Sequence, residues 1–248
     1  MEITAQLLRS AHGDAWQVAG RIREPQGGGT AELPGVRLMA SGLPHPQWNN
    51  GDVHDIGLLD LEQVRAWYAE RGVPWGLRVP SGEAFSHGRH LFAKRLMGLA
   101  ARSLVVPPDV DGLELRAAGP DDLEACVEVD AVAFESDAET ERPWHVAHLA
   151  SDDVDVVLAL WDGRPVGTAY CLRSDLWAGP TAYVAGVGVL PEARGRGVAA
   201  AMSAWLCMRA FAAGALLAHL HPDDDRAARV YARLGFTETA GFDVYVDV

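Results

Sequence analysis

The chain has 248 residues, of which 49% are hydrophobic, and its formal net charge is −13. That length allows one large domain or two of about 100–150 residues, and the apolar content excludes a disordered chain. The acidic balance argues against nucleic acid as a partner, because proteins that bind nucleic acid carry a basic patch. It suits either solubility or a cationic ligand.

The three cysteines, Cys126, Cys171 and Cys207, are far apart and odd in number. They argue against a disulfide framework or a zinc site and suit the cytoplasm. The N-terminus lacks the basic start and apolar core of a signal peptide. The longest apolar stretch, residues 197–220, is alanine-rich and interrupted by an arginine and a glycine. It predicts a buried helix followed by a strand, with no membrane contact.

In the first half of the chain, one helix is well marked over residues 60–72. Asp60 is its predicted N-cap, Gln63 follows three residues later, and Gly72 is the stop. A strand is predicted at "VPWGLRV" and a second helix at "HGRHLFAKRLMGLA", residues 87–100.

The segment "LVVPPDVDGLEL" carries a Pro-Pro pair and an Asp-Gly turn between two apolar runs, which predicts a domain boundary. We therefore divide the chain into an N-terminal lobe, residues 1–108, and a C-terminal domain, residues 113–248. The pattern of the second part predicts a mixed α/β or α+β layer fold. Its predicted elements are a strand (113–118), a helix (120–134), a hairpin turning at 162–163 (154–174), a strand (181–190), a helix (197–214), a strand (215–221), a helix (223–235) and a closing strand pair (236–248).

The stretch "VLPEARGRGVAA" joins the strand that ends at Val189 to the next helix. A helix N-terminus exposes unpaired N–H groups and a partial positive charge, so it stabilises an anion. Gly195 and Gly197 allow a tight turn and a close approach to the backbone, and Arg194 and Arg196 add positive charge. The spacing is neither that of a dinucleotide-binding loop nor that of a P-loop.

Two motifs together resemble the GNAT superfamily of N-acetyltransferases. "RGRGVA" (194–199) is similar to its acetyl-CoA motif, Arg/Gln-x-x-Gly-x-Gly/Ala, and "DDRAARVYARLGF" (224–236) is similar to its "NxxAxxLYxxxGF". The resemblance covers about residues 113–248. It implies a GNAT-type mixed sheet flanked by helices, with acetyl-CoA as co-substrate and no metal.

The resemblance also implies site residues for the donor. Main-chain groups near the strand end would bind the pantetheine arm, and the loop N–H groups would hold the pyrophosphate. The implied cofactor-binding residues are Val187, Gly188, Val189, Arg194, Gly195, Arg196, Gly197, Val198, Ala199 and Asp224, the last standing where the family has asparagine. Tyr231 would stand near the thioester sulfur and protonate the leaving thiolate.

The base that deprotonates the attacking amine stays open. His219 and His221 share one face of their strand, Glu135 lies in the segment that lines the acceptor groove in the family, and a water relay is equally compatible. Tyr183 is a further wall residue. His145 and His148 have no carboxylate to complete a metal site. The acidic segment after residue 134 is either a solvated surface or an attraction for a cationic amine.

The N-terminal lobe resembles the degenerate first lobe of tandem GNAT proteins, on the basis of a helix–strand–helix ending. That likeness would let Trp48, Asn49 and Asn50 contact the acceptor, and the alternative is a purely structural lobe. The sequence therefore favours an N-acyltransferase that acetylates a primary amine, of a small molecule or peptide, by direct attack. The alternatives are a non-catalytic acyl-CoA-binding sensor, because the strand before the loop lacks a carboxylate, and a protein-interaction module. A homodimer is also expected.

Overall fold

The computed structural model describes residues 2–248, which form one mixed sheet of eleven strands and six α-helices. The helices are α1 (Ala5–Ile22), α2 (Leu61–Ala69), α3 (Leu123–Phe134), α4 (Ala138–Leu149), α5 (Val198–Ala212) and α6 (Asp225–Arg233). The strands are β1 (Gly29–Leu33), β2 (Val36–Ala40), β3 (Asn50–Val53), β4 (Gly76–Pro80), β5 (Arg89–Ala100), β6 (Leu113–Ala117), β7 (Val154–Trp161), β8 (Arg164–Leu176), β9 (Gly179–Val189), β10 (Leu217–Leu220) and β11 (Thr237–Val246). Their order in the sheet is β1-β2-β3-β4-β11-β5-β10-β9-β8-β7-β6. The predicted mixed sheet flanked by helices is confirmed.

Several predicted elements form where the local sequence signals placed them. Asp60 caps α2 by accepting hydrogen bonds from the N–H groups of Glu62 and Gln63. The β7–β8 hairpin turns at Asp162 and Gly163, both with positive φ, as a tight hairpin requires. The apolar stretch 197–220 forms α5 and β10, and no helix among the described residues is long and apolar enough to cross a bilayer.

The helix predicted over residues 87–100 was wrong, because that segment is the long strand β5. Hydrogen bonds join β5 to β10 along one edge and to β11 along the other. Leu96, Met97 and Leu99 are at most 2% exposed, so both faces of the strand are covered. A strand buried on both faces carries a continuous apolar run, which periodicity alone does not distinguish from a buried helix. The closing strand pair is likewise one strand, β11, with a register break between Thr239 and Phe242.

Two strand–helix–strand units of the same kind occur in the chain. In the first, β3 continues through α2 to the parallel strand β4, and in the second, β9 continues through α5 to the parallel strand β10. The elements α1 and β1 to β3, which complete the N-terminal part, have no counterpart in the sequence-based prediction.

The two parts of the chain exchange their last strands. β5, from the N-terminal part, lies between β10 and β11, and β11, from the C-terminal part, lies between β4 and β5. The boundary between residues 108 and 113 remains a prediction about chain organisation. In the hydrogen-bonded sheet, however, each part is completed by the other.

Helix α1 lies across the junction of the two parts. It packs on strands from both, including β2, β5, β8 and β9, and its Leu8, Ala11 and Ala15 are fully buried. Helices α3 and α4 pack on the same face beside it, whereas α5 covers the opposite face of β7 to β9. The space left between α1 and the α3–α4 pair is therefore walled by both parts.

We predict that residues 113–248 alone do not form a stable monomer. Without β5, strands β10 and β11 would present unpaired edges and lose the apolar contacts of residues 96–99. Size-exclusion chromatography and thermal unfolding of the fragment test this, with co-expressed residues 1–112 as the matched rescue. A monomeric fragment that unfolds cooperatively would contradict the prediction.

Candidate functional site

The first feature of the site is a wedge between β9 and β10. The two strands pair only over residues 181–183 of β9 and 217–219 of β10, although β9 continues to Val189. The register of β9 against β8 also shifts between Ala185 and Gly188, and Gly186 there has a φ of 57°. The edge of β9 over residues 184–189 thus has no strand partner on its β10 side, within the described chain.

The loop that follows β9 presents a run of unpaired donors. Gly195 and Gly197 have φ values of 76° and 90°, and Gly197 is the N-cap of α5. Among residues 2–248, none accepts a hydrogen bond from the backbone N–H groups of residues 195–200. Donors gathered at a helix N-terminus form an anion-binding surface.

The side chains of the two loop arginines contact other parts of the chain. Arg194 donates from Nε to the carbonyl of Val189 at 3.0 Å and from Nη2 to the carbonyl of Ala133 at 2.9 Å. Arg196 stacks over the ring of Trp161, with its guanidinium carbon 3.6 Å from the ring centroid. Arg194 therefore fastens the loop to β9 and α3, and the charge of Arg196 lies over an indole.

A groove of about 490 Å³ runs from the wedge along the loop to α6. The predicted donor residues that line it are Val187, Gly188, Val189, Arg194, Gly195, Gly197, Val198, Ala199 and Asp224, and Arg196 does not. The carboxylate of Asp224 caps α6 by accepting a hydrogen bond from the N–H of Ala227 at 2.7 Å. This cap explains why a residue with a hydrogen-bonding side chain occupies position 224. Contact between Asp224 and a cofactor stays a prediction.

The sequence reasoning missed three cationic residues of this groove. Arg226, Arg229 and Arg233 are exposed, line the groove, and form no salt bridge with any described residue. Their spacing of three and four residues places them on one face of α6, and that spacing was the available signal. In a chain of net charge −13, they make this groove a local positive region.

A second cavity, also about 490 Å³, lies between α1 and the α3–α4 pair. It shares Phe134 and Asp223 with the first groove, so the two spaces meet there. Its wall combines polar and charged side chains with eight aromatic ones: Trp16, Trp48, Phe92, Phe134, Trp144, Tyr170, Tyr183 and Phe242. We call it the inter-lobe cavity. Its size is that of a small-molecule site.

The residues predicted for the acceptor separate into two groups. Trp48, Asn50, Tyr183 and His221 line the inter-lobe cavity. Glu135, the last candidate base, is exposed at the end of α3 and lines neither space.

Asn49 is a structural residue. It is fully buried, and its side chain accepts from the N–H of Ser41 and donates to the carbonyls of Leu43, His45 and Pro74. It does not line the inter-lobe cavity.

Three histidines form a cluster beneath the inter-lobe cavity. The ring centroid of His12 lies 6.1 Å from that of His219 and 5.8 Å from that of His221, and Tyr183 stacks on His219 at 5.2 Å. Burial lowers the pKa of His219 and of His221 to about 3, so both rings are neutral at pH 7. Such a ring is a poor acceptor for the proton of an ammonium. No group of three or more His, Cys, Asp or Glu side chains in the described chain could hold a metal ion.

His12 was not a sequence candidate, because α1 itself was not predicted. Its Nε2 accepts a hydrogen bond from Trp16 Nε1 at 2.9 Å and lies 3.3 Å from Arg78 Nη1. These contacts assign the ring proton to Nδ1, which has no hydrogen-bond partner among the described residues.

Tyr231 lies in the hydrophobic core on the far side of the sheet from the inter-lobe cavity. It is 9% exposed, packs against Phe236, and lines neither the groove nor the cavity. Its catalytic role therefore stays a prediction.

Two carboxylates of the α3–α4 pair line the inter-lobe cavity: Asp130, which the sequence reasoning missed, and Glu141, which belongs to the acidic segment predicted after residue 134. Asp130 on α3 is 5% exposed, and its Oδ2 lies 2.8 Å from Nε2 of His145. Glu141 on α4 is the second, and burial raises the pKa of both carboxyls. Asp130 shares the buried face of α3 with Cys126 and Val127, and a carboxylate on an apolar helix face was a signal in the sequence.

Comparison with known proteins agrees with this geometry. Residues 123–236 match the family model described as "Acetyltransferase (GNAT) family". The chain is similar to the structure of a GCN5-related N-acetyltransferase from Kribbella flavida, with 24% identity, a TM-score of 0.68, and coverage of 95% of this chain and 93% of that chain. It is also similar to a GCN5-related N-acetyltransferase from Sphaerobacter thermophilus, at 18% identity and a TM-score of 0.58, covering 98% and 93%. No curated protein matches the sequence. At these identities the two structures show a common fold that includes both parts of the chain.

We predict that Arg194→Ala loosens the donor loop. Two hydrogen bonds from a guanidinium are lost, so the free energy of unfolding should fall by about 1–3 kcal/mol. Hydrogen exchange of the N–H groups of Leu190 and Ala193, which are hydrogen-bonded in the folded chain, should become faster. The matched control is Arg196→Ala, which removes only an exposed contact with Trp161 and should cost less than about 1 kcal/mol. Equal effects of the two variants would contradict a fastening role for Arg194.

We also predict a loss of stability on mild acidification. The unfolded chain binds a proton at His219 near pH 6.5, whereas the folded chain does so only near pH 3. Stability is therefore complete above pH 6.5 and falls as the pH decreases toward 3. Between pH 7 and 5 this one group should cost about 2 kcal/mol, measured by urea unfolding. His219→Gln should reduce the pH dependence by that amount, whereas His87→Gln, at an exposed position, should not.

Proposed function

On the premise that residues 123–236 are a GNAT acetyltransferase domain, we propose that the protein is an acyl-CoA-dependent N-acyltransferase. It transfers an acetyl group from acetyl-CoA to a primary amine by direct attack. The observation that carries the proposal is the junction of the two spaces. An anion-binding groove beside an unpaired strand edge opens, at Phe134, onto a second cavity of small-molecule size.

The groove has the chemistry that a CoA molecule requires. Its pyrophosphate would meet the free N–H groups of residues 195–200, and the arginines of α6 would add charge. The pantetheine arm would bind along the unpaired edge of β9 at Val187 and Val189, as an added strand. Because the carbonyl of Val189 already accepts from Arg194, the N–H groups and the carbonyl of Val187 are the more available partners.

Acetyl-CoA supplies the acetyl thioester, and the chain supplies position and proton transfer. The acceptor amine would approach from the inter-lobe cavity, next to the point where β9 is bulged at Gly186. We assign to Tyr231 the protonation of the leaving sulfur. In support, burial raises the pKa of its phenol, which therefore stays protonated at neutral pH.

We further propose that the N-terminal part is a degenerate second lobe that completes the acceptor site. Its β3–α2–β4 crossover repeats the order of β9–α5–β10, and its α1 supplies His12 and Trp16 to the inter-lobe cavity. A cytoplasmic location and a homodimer belong to the same proposal.

The donor site is tested by Ala199→Glu. Residue 199 lines the groove in the first turn of α5, where a carboxylate suits the helix dipole and does not harm folding but repels a phosphate. We expect acetyl-CoA to bind at least tenfold more weakly, measured by calorimetry. Ala212→Glu, which adds the same charge at the exposed far end of α5, should bind like the wild type.

The activity is tested by thermal shift with acetyl-CoA and by thiol release across a panel of amines. A ligand that binds only the native state raises its melting temperature. No shift with acetyl-CoA would overturn the proposal and favour an interaction module. A shift without turnover of any amine would favour the acyl-CoA sensor.

A further inference from the structure

We propose that the inter-lobe cavity binds a monoamine that carries a planar aromatic group, and that Asp130 takes the proton from its ammonium. This inference rests on the acyltransferase activity proposed above and specifies its acceptor and its base. It depends on three features of the cavity: a buried carboxylate with a free oxygen, a wall of indole rings, and an uneven distribution of charge.

The buried carboxylate lies where the two spaces meet. Asp130 Oδ2 is 2.8 Å from His145 Nε2, whereas its Oδ1 is buried and has no hydrogen-bond partner among the described residues. A Cβ added to Gly188 would lie 2.7 Å from that Oδ1 and 3.2 Å from the ring of Phe134. Gly188 lines the donor groove and Asp130 lines the inter-lobe cavity, so the free oxygen stands between donor and acceptor.

An unpaired buried carboxylate oxygen requires a partner, because its desolvation is otherwise uncompensated. An ammonium is the cationic donor that matches it. The titratable groups that face Asp130 are His145 and Glu141 on α4, Tyr170 on β8 and Cys126 on its own helix. The nearest group on β9 is Gly188, which has no side chain.

The aromatic wall selects the body of the acceptor. The rings of Trp48 and Trp144 are stacked with centroids 5.5 Å apart, and Trp16 lies 6.1 Å from Trp144. All three line the cavity. Indole faces provide large apolar contact areas for a planar group and attract a nearby cation.

The charge distribution selects a single amine. Asp130 and Glu141 lie on the α3–α4 side of the cavity, whereas Arg78 and Lys94 reach it from β4 and β5. Both cations are paired, Arg78 with Asp52 at 2.8 Å and Lys94 with Asp223 at 3.2 Å, so the unbalanced negative charge of the cavity belongs to the α3–α4 side and matches one ammonium. An acceptor with several ammonium groups would find a matching carboxylate pair on that side alone.

The reaction step is balanced as follows. The acceptor ammonium gives one proton to Asp130, and the nitrogen lone pair forms a C–N bond to the thioester carbonyl carbon. The C–S bond breaks, its electron pair leaves on sulfur, Tyr231 protonates that sulfur, and the second N–H proton of the amine restores the phenol as the amide forms. Asp130 then releases its proton to solvent. Burial raises the pKa of Asp130 against the opposing effect of His145, so it accepts a proton more readily than an exposed carboxylate.

The acceptor class is tested with wild-type protein, 2-phenylethylamine, n-butylamine and 1,4-diaminobutane. We expect kcat/KM for 2-phenylethylamine to exceed that for n-butylamine at least tenfold, because the ring is buried against indoles. The value for 1,4-diaminobutane should be the lowest. A preference for the diamine or for a lysine-containing peptide would overturn the aromatic monoamine.

The base is tested with Asp130→Asn, which keeps the shape and removes the charge. With 2-phenylethylamine, kcat/KM should fall at least a hundredfold, and the acidic limb of its pH profile should disappear. Glu128→Gln removes the same charge from an exposed position of the same helix and should change kcat/KM less than twofold. An Asp130→Asn variant with an unchanged pH profile would remove Asp130 from the mechanism.

The thermal shift with acetyl-CoA distinguishes failure of the proposed function from failure of the inferred acceptor class. If neither wild type nor Asp130→Asn responds to acetyl-CoA, the proposed function fails, and the inference with it. If both respond and only other amines are acetylated, the function stands and the acceptor class is wrong. If Asp130→Asn does not fold, the variant shows no cooperative thermal transition. The amine panel with wild-type protein then still decides the acceptor class.

Discussion

The pairing of β5 with both β10 and β11 is the constraint on which the rest of the molecule depends. It joins the two parts of the chain into one sheet and fixes the distance between helix α1 and the α3–α4 pair. The inter-lobe cavity exists because of that spacing, since neither part could enclose it alone. The wedge between β9 and β10 depends on it too, because β5 supports the far edge of β10 while β9 diverges.

The local charge of two spaces in the protein differs from what its net charge would suggest. The chain carries a net charge of −13, yet the groove at the N-terminus of α5 combines free N–H groups with three unpaired arginines of α6. A small positive region on an acidic protein attracts a compact anion and discourages long polyanions. On its α3–α4 side the inter-lobe cavity is negatively charged instead, because carboxylates lie there among aromatic rings. The two spaces therefore suit unlike ligands, although they share Phe134 and Asp223.

The sequence predicted best what depends on local chemistry. The donor loop, the α2 cap and the β7–β8 turn follow from residues close to one another in the chain, and all formed where predicted. The destination of a long side chain was not predictable in this way. Arg194 binds a carbonyl 61 residues away, which no local pattern specifies.

The inter-lobe cavity was the least predictable part, for the same reason. His12 and Asp130 line one cavity only because the sheet brings α1 and α3 together. Strand β5 was predicted as a helix because both of its faces are buried, so its sequence lacks the alternation of polar and apolar residues that marks a strand. Asp130 did leave a local trace, as a carboxylate on the apolar face of α3.

The exchange of last strands also has a consequence for synthesis on the ribosome. β5 emerges from the ribosome well before either of its neighbours, because β10 begins at Leu217 and β11 at Thr237. Until then its apolar run, with both edges unpaired, is exposed to other nascent chains, which is the condition that favours aggregation. The polypeptide cannot complete its first half until it has nearly completed its second. The central sheet is therefore complete only after β11 has been synthesised, and strand pairs this far apart in sequence favour slow folding.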